Sequence, residues 1–164
     1  MMSCIPDVHR AHRGLAAFEP ARHPTVASLR QSAIERQFVA IESAYAHHGG
    51  LATGDAVAEM LRTRSSQTIS ALARWIVDRR IVSFNWQSRL LIPLFQFDPV
   101  TMRPRPCVID AVAELSPFLD DWALASWFVE SNAWLDDCSP LDVIDDDPHQ
   151  VIQAARADRH VVRW

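Results

Sequence analysis

Two helix-start signals stand close together near the end of this chain, in "SNAWLDDCSPLDVIDDDPHQVIQAA" (residues 131–155). Ser139-Pro140-Leu141-Asp142 sets a capping hydroxyl, a proline at the first helical position and an acid three residues on, the arrangement of a capping box. Asp147-Pro148-His149-Gln150 repeats it. The first helix therefore has room for only a turn or two before the second begins. The spacing predicts a compact corner with Val143, Ile144, Val151 and Ile152 inside and aspartates outside.

That corner is where the charge collects. The net charge is -4 over 164 residues, but residues 107–164 hold three Arg against twelve acids, whereas residues 51–106 hold eight Arg against four. A basic middle and an acidic end imply two different partners. The Asp-rich run has neither the central Gly nor the closing Glu of a calcium loop, so no metal is expected there. Cys4, Cys107 and Cys138 are odd in number and without CxxC spacing, which predicts free thiols and no zinc site. His47 and His48 read as loop residues. No cofactor is expected. The sequence also offers no nucleophile elbow and no phosphate-cradling glycine loop, and so reads as non-enzymatic. With no apolar run near the roughly 20 residues a bilayer requires and no signal-like stretch, a cytoplasmic location is expected.

The fold class predicted is mainly α with a small β-hairpin. Residues 1–27 read as a loosely ordered arm. In residues 28–48, Ile34, Phe38, Ile41 and Tyr45 recur with helical spacing, a stripe that fits either intramolecular packing or a dimer seam. Residues 51–98 read as a winged helix-turn-helix. Thr53 caps a first helix with Val57, Met60 and Leu61 inward, and a polar turn (residues 62–65) leads to a second helix with Ile69, Leu72, Ala73 and Ile76 inward. Strand, turn and strand follow through Phe97, with Pro93 suggesting an edge for the second strand and Trp86 at the turn placed to touch DNA or a neighbouring subunit. The residues expected at double-stranded DNA are Arg64, Ser66, Gln67, Thr68 and Arg74 as readers, with Arg79, Arg80 and Arg89 on phosphates. Residues 99–106, with three prolines, read as a linker, and residues 107–164 as a helical partner-binding domain.

The run "WFVESNAWLDDCSPLDVIDDDPHQVIQAARA" resembles the C-terminal toxin-binding domain of Xre/MbcA/ParS-type antitoxins, through Trp127, Asn132, Leu135, Ser139, Pro140 and Leu141. Upstream, Phe95-Gln96-Phe97 is similar to the segment that joins a helix-turn-helix to that domain in such proteins. The resemblance covers roughly residues 51–160. It implies a dimeric antitoxin that represses its own promoter and neutralises a RES-domain toxin acting on NAD, with Asn132, Leu135, Ser139, Pro140, Leu141, Arg159 and Trp164 at the partner. Asp136-Asp137-Cys138 stands where such proteins carry Gly-Gly-Arg, and aspartates disfavour positive φ, so a differently shaped loop is expected. Two other readings fit the same residues: an orphan regulator without a toxin, and a protein-interaction adaptor that has lost DNA binding.

Overall fold

The structure is a computed structural model in which residues 26–64 and 69–162 are described. The arm expected over residues 1–27 falls almost wholly outside them, as do Ser66, Gln67, Thr68 and Trp164. The described residues are mainly helical, with one small antiparallel sheet, as the composition and periodicity predict.

Helix α1 (Val26–Ala46) ends where Gly49 and Gly50 take φ of 93° and 81°, letting the Gly50 N–H reach back to the Tyr45 carbonyl at 2.8 Å. Its stripe turns inward at its C-terminal half. Ile41 and Tyr45 are 2% and 0% exposed, Phe38 is half-buried and Ile34 is 46% exposed. The Tyr45 hydroxyl donates to the Ala125 carbonyl at 2.8 Å, and burial pushes its pKa far up, so it stays a donor. Ile41 and Tyr45 thus belong to this chain's own core, which corrects their assignment to a dimer seam.

Strand β1 (Leu51–Thr53) follows at once, then α2 (Gly54–Arg64), α3 (Ile69–Val77), β2 (Phe84–Trp86) and β3 (Arg89–Pro93). The sheet order is β1-β3-β2, so β3 lies at the centre and not at the edge that Pro93 suggested. The strand tolerates Pro93 because it is the last residue, and the Leu94 N–H takes up the ladder by donating to the Gly50 carbonyl at 2.9 Å.

The sheet is apolar on both faces. Cross-strand pairing sets Phe84 beside Leu91 and Ala52 beside Ile92. Because side chains alternate along a strand, Leu91 and Ile92 point to opposite sides. The Ile92 side packs with Val57, Leu61, Leu72 and Trp75 of α2 and α3. The Leu91 side packs with α1 and with α4 (Pro106–Leu115), α5 (Asp121–Val129), α6 (Pro140–Val143) and α7 (Pro148–Val162). Trp86 lies here, half-buried, stacked on Phe38 with ring centroids 4.2 Å apart and 5.6 Å from Trp122, so much of its apolar surface is taken up within this chain.

One buried amide fastens this arrangement. The Gln96 side chain, fully buried, accepts from the Val82 N–H at 2.7 Å and donates to the Val82 and Pro93 carbonyls, each at 2.8 Å. Residues 99–106 are tied down rather than a free spacer: Met102 is buried, Phe97 bridges to Pro104, and the Arg105 N–H donates to the Gln96 carbonyl at 2.8 Å. Replacing Gln96→Leu strands three buried backbone groups and is expected to cost about 3 kcal/mol of unfolding free energy, read from the urea midpoint. A loss below about 1 kcal/mol would show that the amide is not the fastener.

Candidate functional site

The basic unit grows out of the sheet. Thr53, the last residue of β1, turns directly into a cap, its Oγ1 accepting from the Ala56 N–H at 3.2 Å. Helix α2 buries Val57 and Leu61; helix α3 buries Leu72 and Trp75, while Ala73, Ser70, Arg74 and Val77 face out. The second helix is thus as expected in Leu72, but Trp75 fills the buried place that the periodicity gave to Ala73. Helix α3 closes with Arg79 in the left-handed region at φ 49°, the Arg80 N–H donating to the Trp75 carbonyl at 2.8 Å and the Arg79 N–H to the Ile76 carbonyl at 3.0 Å.

That closure decides the fate of Arg79. Its guanidinium donates to the Ser116 and Leu119 carbonyls and pairs with Asp121 Oδ1 at 3.0 Å, tying the end of α3 to the start of α5. Arg79 is therefore committed inside the chain and is withdrawn from the phosphate-contacting set. Arg64, Arg74, Arg80 and Arg89 are exposed and have no ion pair among the described residues. They do not converge on one point. Arg89, beside the hairpin turn at Gln87 and Ser88 (φ 46° and 64°), borders a groove of about 450 Å³ with Ser88, Asp55, Ala73 and Ile76. Arg64 lies at the other end of α2, facing Asp98 and Arg105 across a separate cleft.

The acidic corner forms as its caps predict. Ser139 Oγ accepts from the Asp142 N–H at 3.2 Å and donates to Asp142 Oδ2 at 2.6 Å; Asp147 Oδ1 accepts from the Gln150 N–H at 3.0 Å. Ile144 and Val151 are buried, Val143 and Ile152 half-buried, and Asp142, Asp145, Asp146 and Asp147 exposed.

The residues expected at the partner mostly hold this corner together. Leu135, Pro140 and Leu141 are buried. Asn132, 8% exposed, accepts from the Trp134 N–H at 2.9 Å and donates to Asp158 Oδ2 at 2.6 Å, where the Trp127 indole N–H also donates at 2.7 Å. Arg159 and Arg156 both pair with Glu114, at 2.5 and 2.9 Å, joining α7 to α4. Those side chains face inward or are spent, which corrects their placement at an interface for all but Ser139, half-buried at the rim, and Trp164, outside the described residues. The surface instead presents Trp134, 59% exposed, with Asp136 and Asp137 beside it. No motif pointed to Trp134; its neighbours Asn132 and Leu135 drew the attention, and only the one-turn Ala133–Leu135 helix turns it outward.

The loop that follows holds both aspartates in a conformation that they disfavour. Asp136 and Asp137 adopt φ of 52° and 63°, the left-handed values that glycine favours, and the Asp137 N–H closes the turn on the Asn132 carbonyl at 3.1 Å. The tight loop forms without glycine, at a conformational cost.

Compared with known proteins, the chain matches no protein family, no characterised protein and no solved structure.

The paired replacement Asp136→Gly and Asp137→Gly removes that cost, and is expected to raise unfolding free energy by about 1 kcal/mol, or the melting temperature by about 3 °C. A fall in melting temperature would mean that the aspartates contribute more than their backbone strain takes away.

Proposed function

We propose that this chain is an antitoxin-like regulator that binds double-stranded DNA through α2, α3 and the β2–β3 hairpin, represses its own promoter as a homodimer, and engages a RES-type toxin through its acidic C-terminal helices. One observation carries the DNA reading. A hairpin directly follows a helix pair, and this unit leaves Arg74, Arg80 and Arg89 exposed and unpaired among the described residues. The order helix, strand, helix, helix, strand, strand, with the last strand central, supports reading this unit as a winged helix-turn-helix. Unpaired guanidiniums on a surface are the groups that neutralise phosphates and release their counterions, a driving force that added salt weakens.

The partner reading rests on the resemblance and on the exposed aspartates at the corner, which suit a cleft lined with cations. Trp134 supplies an exposed aromatic beside them, the residue type that anchors interfaces most often. Pairing of two copies falls to the outward residues of α1, among them Ile34, Leu29 and Val39 at 46%, 54% and 61% exposed, since Ile41 and Tyr45 are taken up by the core.

Fluorescence anisotropy on the chain's own upstream DNA against a scrambled duplex, at several salt concentrations, tests the DNA reading. Preferential binding with a negative salt slope is expected. Arg89→Ala should weaken all sequences alike and flatten the slope by about one counterion, whereas Gln67→Ala should relax the preference between sequences. Equal or absent binding to both duplexes would retire the DNA reading and leave an interaction adaptor.

A further inference from the structure

A second cavity, of about 690 Å³, opens where the end of α2, the His47–Gly49 turn, the loop from Phe97 to Arg105 and α6 meet. It is within the size range of small-molecule sites. Its floor is apolar and firmly held: Phe95, Phe97, Met102, Leu141 and Ile144 are each 7% exposed or less.

The rim is polar, and nearly all of its charge is already spent. Arg105 Nη2 pairs with Asp145 Oδ1 at 2.6 Å, and Nη1 donates to the Phe95 carbonyl at 3.3 Å. Asp98 Oδ1 accepts from the Thr101 N–H at 2.6 Å, the Thr101 hydroxyl at 2.8 Å and the Val100 N–H at 3.1 Å. Those bonds, with a smaller contribution from the charge of Arg105, hold the Asp98 carboxyl below its ordinary range, so it remains an anion turned to its own loop. His48 Nε2 lies 3.4 Å from Asp142 Oδ1. Among the described residues, Arg64 and the exposed His47 are the basic side chains of the lining left without an ion pair, and Arg64 carries the fixed charge.

An apolar floor with one uncommitted guanidinium at its edge is complementary to a molecule with an apolar body and one negative charge. We propose that this cleft binds a small amphipathic carboxylate, its apolar body on Phe95, Phe97 and Ile144 and its carboxylate on Arg64. A phosphate fits less well, because its second charge would have no second guanidinium free to meet it, only the His47 imidazole, and would face Asp98 and Asp145. The cleft takes its walls from α2 on one side and α6 on the other, so the ligand touches the basic unit and the acidic corner together. The proposal does not rest on DNA binding or on a toxin.

The test is a titration of the full chain, carrying 13C-methyl methionine, with 1-naphthaleneacetate as the ligand. Met60 and Met102 both line the cleft and report directly on it. Their two methyl signals are expected to shift together and saturate. The uncharged 1-naphthaleneacetamide should bind about tenfold more weakly, and Arg64→Gln, a change at an exposed position, should erase the difference between the two ligands. The proposal is overturned if the two signals do not saturate together, if acid and amide bind equally to the unaltered chain, or if Arg64→Gln, with unchanged circular dichroism, leaves the tenfold preference in place.

Discussion

The whole structure depends on the alternation of two adjacent residues in β3. Leu91 faces one way and Ile92 the other, and both are buried. A three-stranded sheet with two apolar faces cannot stand in water unless both are covered. Helices α2 and α3 cover one, and α1 with α4 to α7 the other. Burial of side chains of this size stabilises by about 2 kcal/mol each, so stripping either layer from Phe84, Leu91 and Ile92 costs several times that. The sheet is thus a partition that two cores share. Gln96 fixes the strand end to the segment before β2, and Arg79 crosses from the end of α3 to the helices of the other layer.

From that partition follows the distribution of charge. Arginines that bridge the layers, Arg79 and Arg105, are paired with Asp121 and Asp145, whereas Arg74, Arg80 and Arg89 remain in water on the α2–α3 and hairpin side. The aspartates of the corner stay exposed because capping holds Asp142 and Asp147 at helix starts, where negative charge is favoured. A basic surface and an acidic one on a single packed body can serve two partners without either displacing the other's side chains, as the proposed regulator would need.

What the sequence disclosed was set by how local the cause is. The caps at Thr53, Ser139 and Asp147 need only residues within one turn, and all of them accept the backbone N–H that a cap should. Strand β1 was missed because three residues carry no visible alternation and it exists only through pairing with β3. Pro93 misled for the same reason: strand order is a long-range property, and a proline at a strand's last residue resembles one at an edge. Asn132, Leu135, Pro140 and Leu141 were legible as a motif, but a motif does not distinguish residues that shape a corner from residues that touch a partner; burial does. The left-handed pair Asp136 and Asp137 shows the limit of propensity, since bonds of the surrounding turn outweigh a cost of about 1 kcal/mol per residue.

In the proposed reading, the α2–α3 and hairpin surface, and not the acidic corner, meets nucleic acid. Amide chemical-shift mapping of the 15N-labelled chain with its upstream duplex tests it most directly. Shifts or broadening are expected to concentrate in residues 70–90, with residues 139–158 unmoved. Perturbation centred on the corner, or spread evenly over both surfaces, would contradict it.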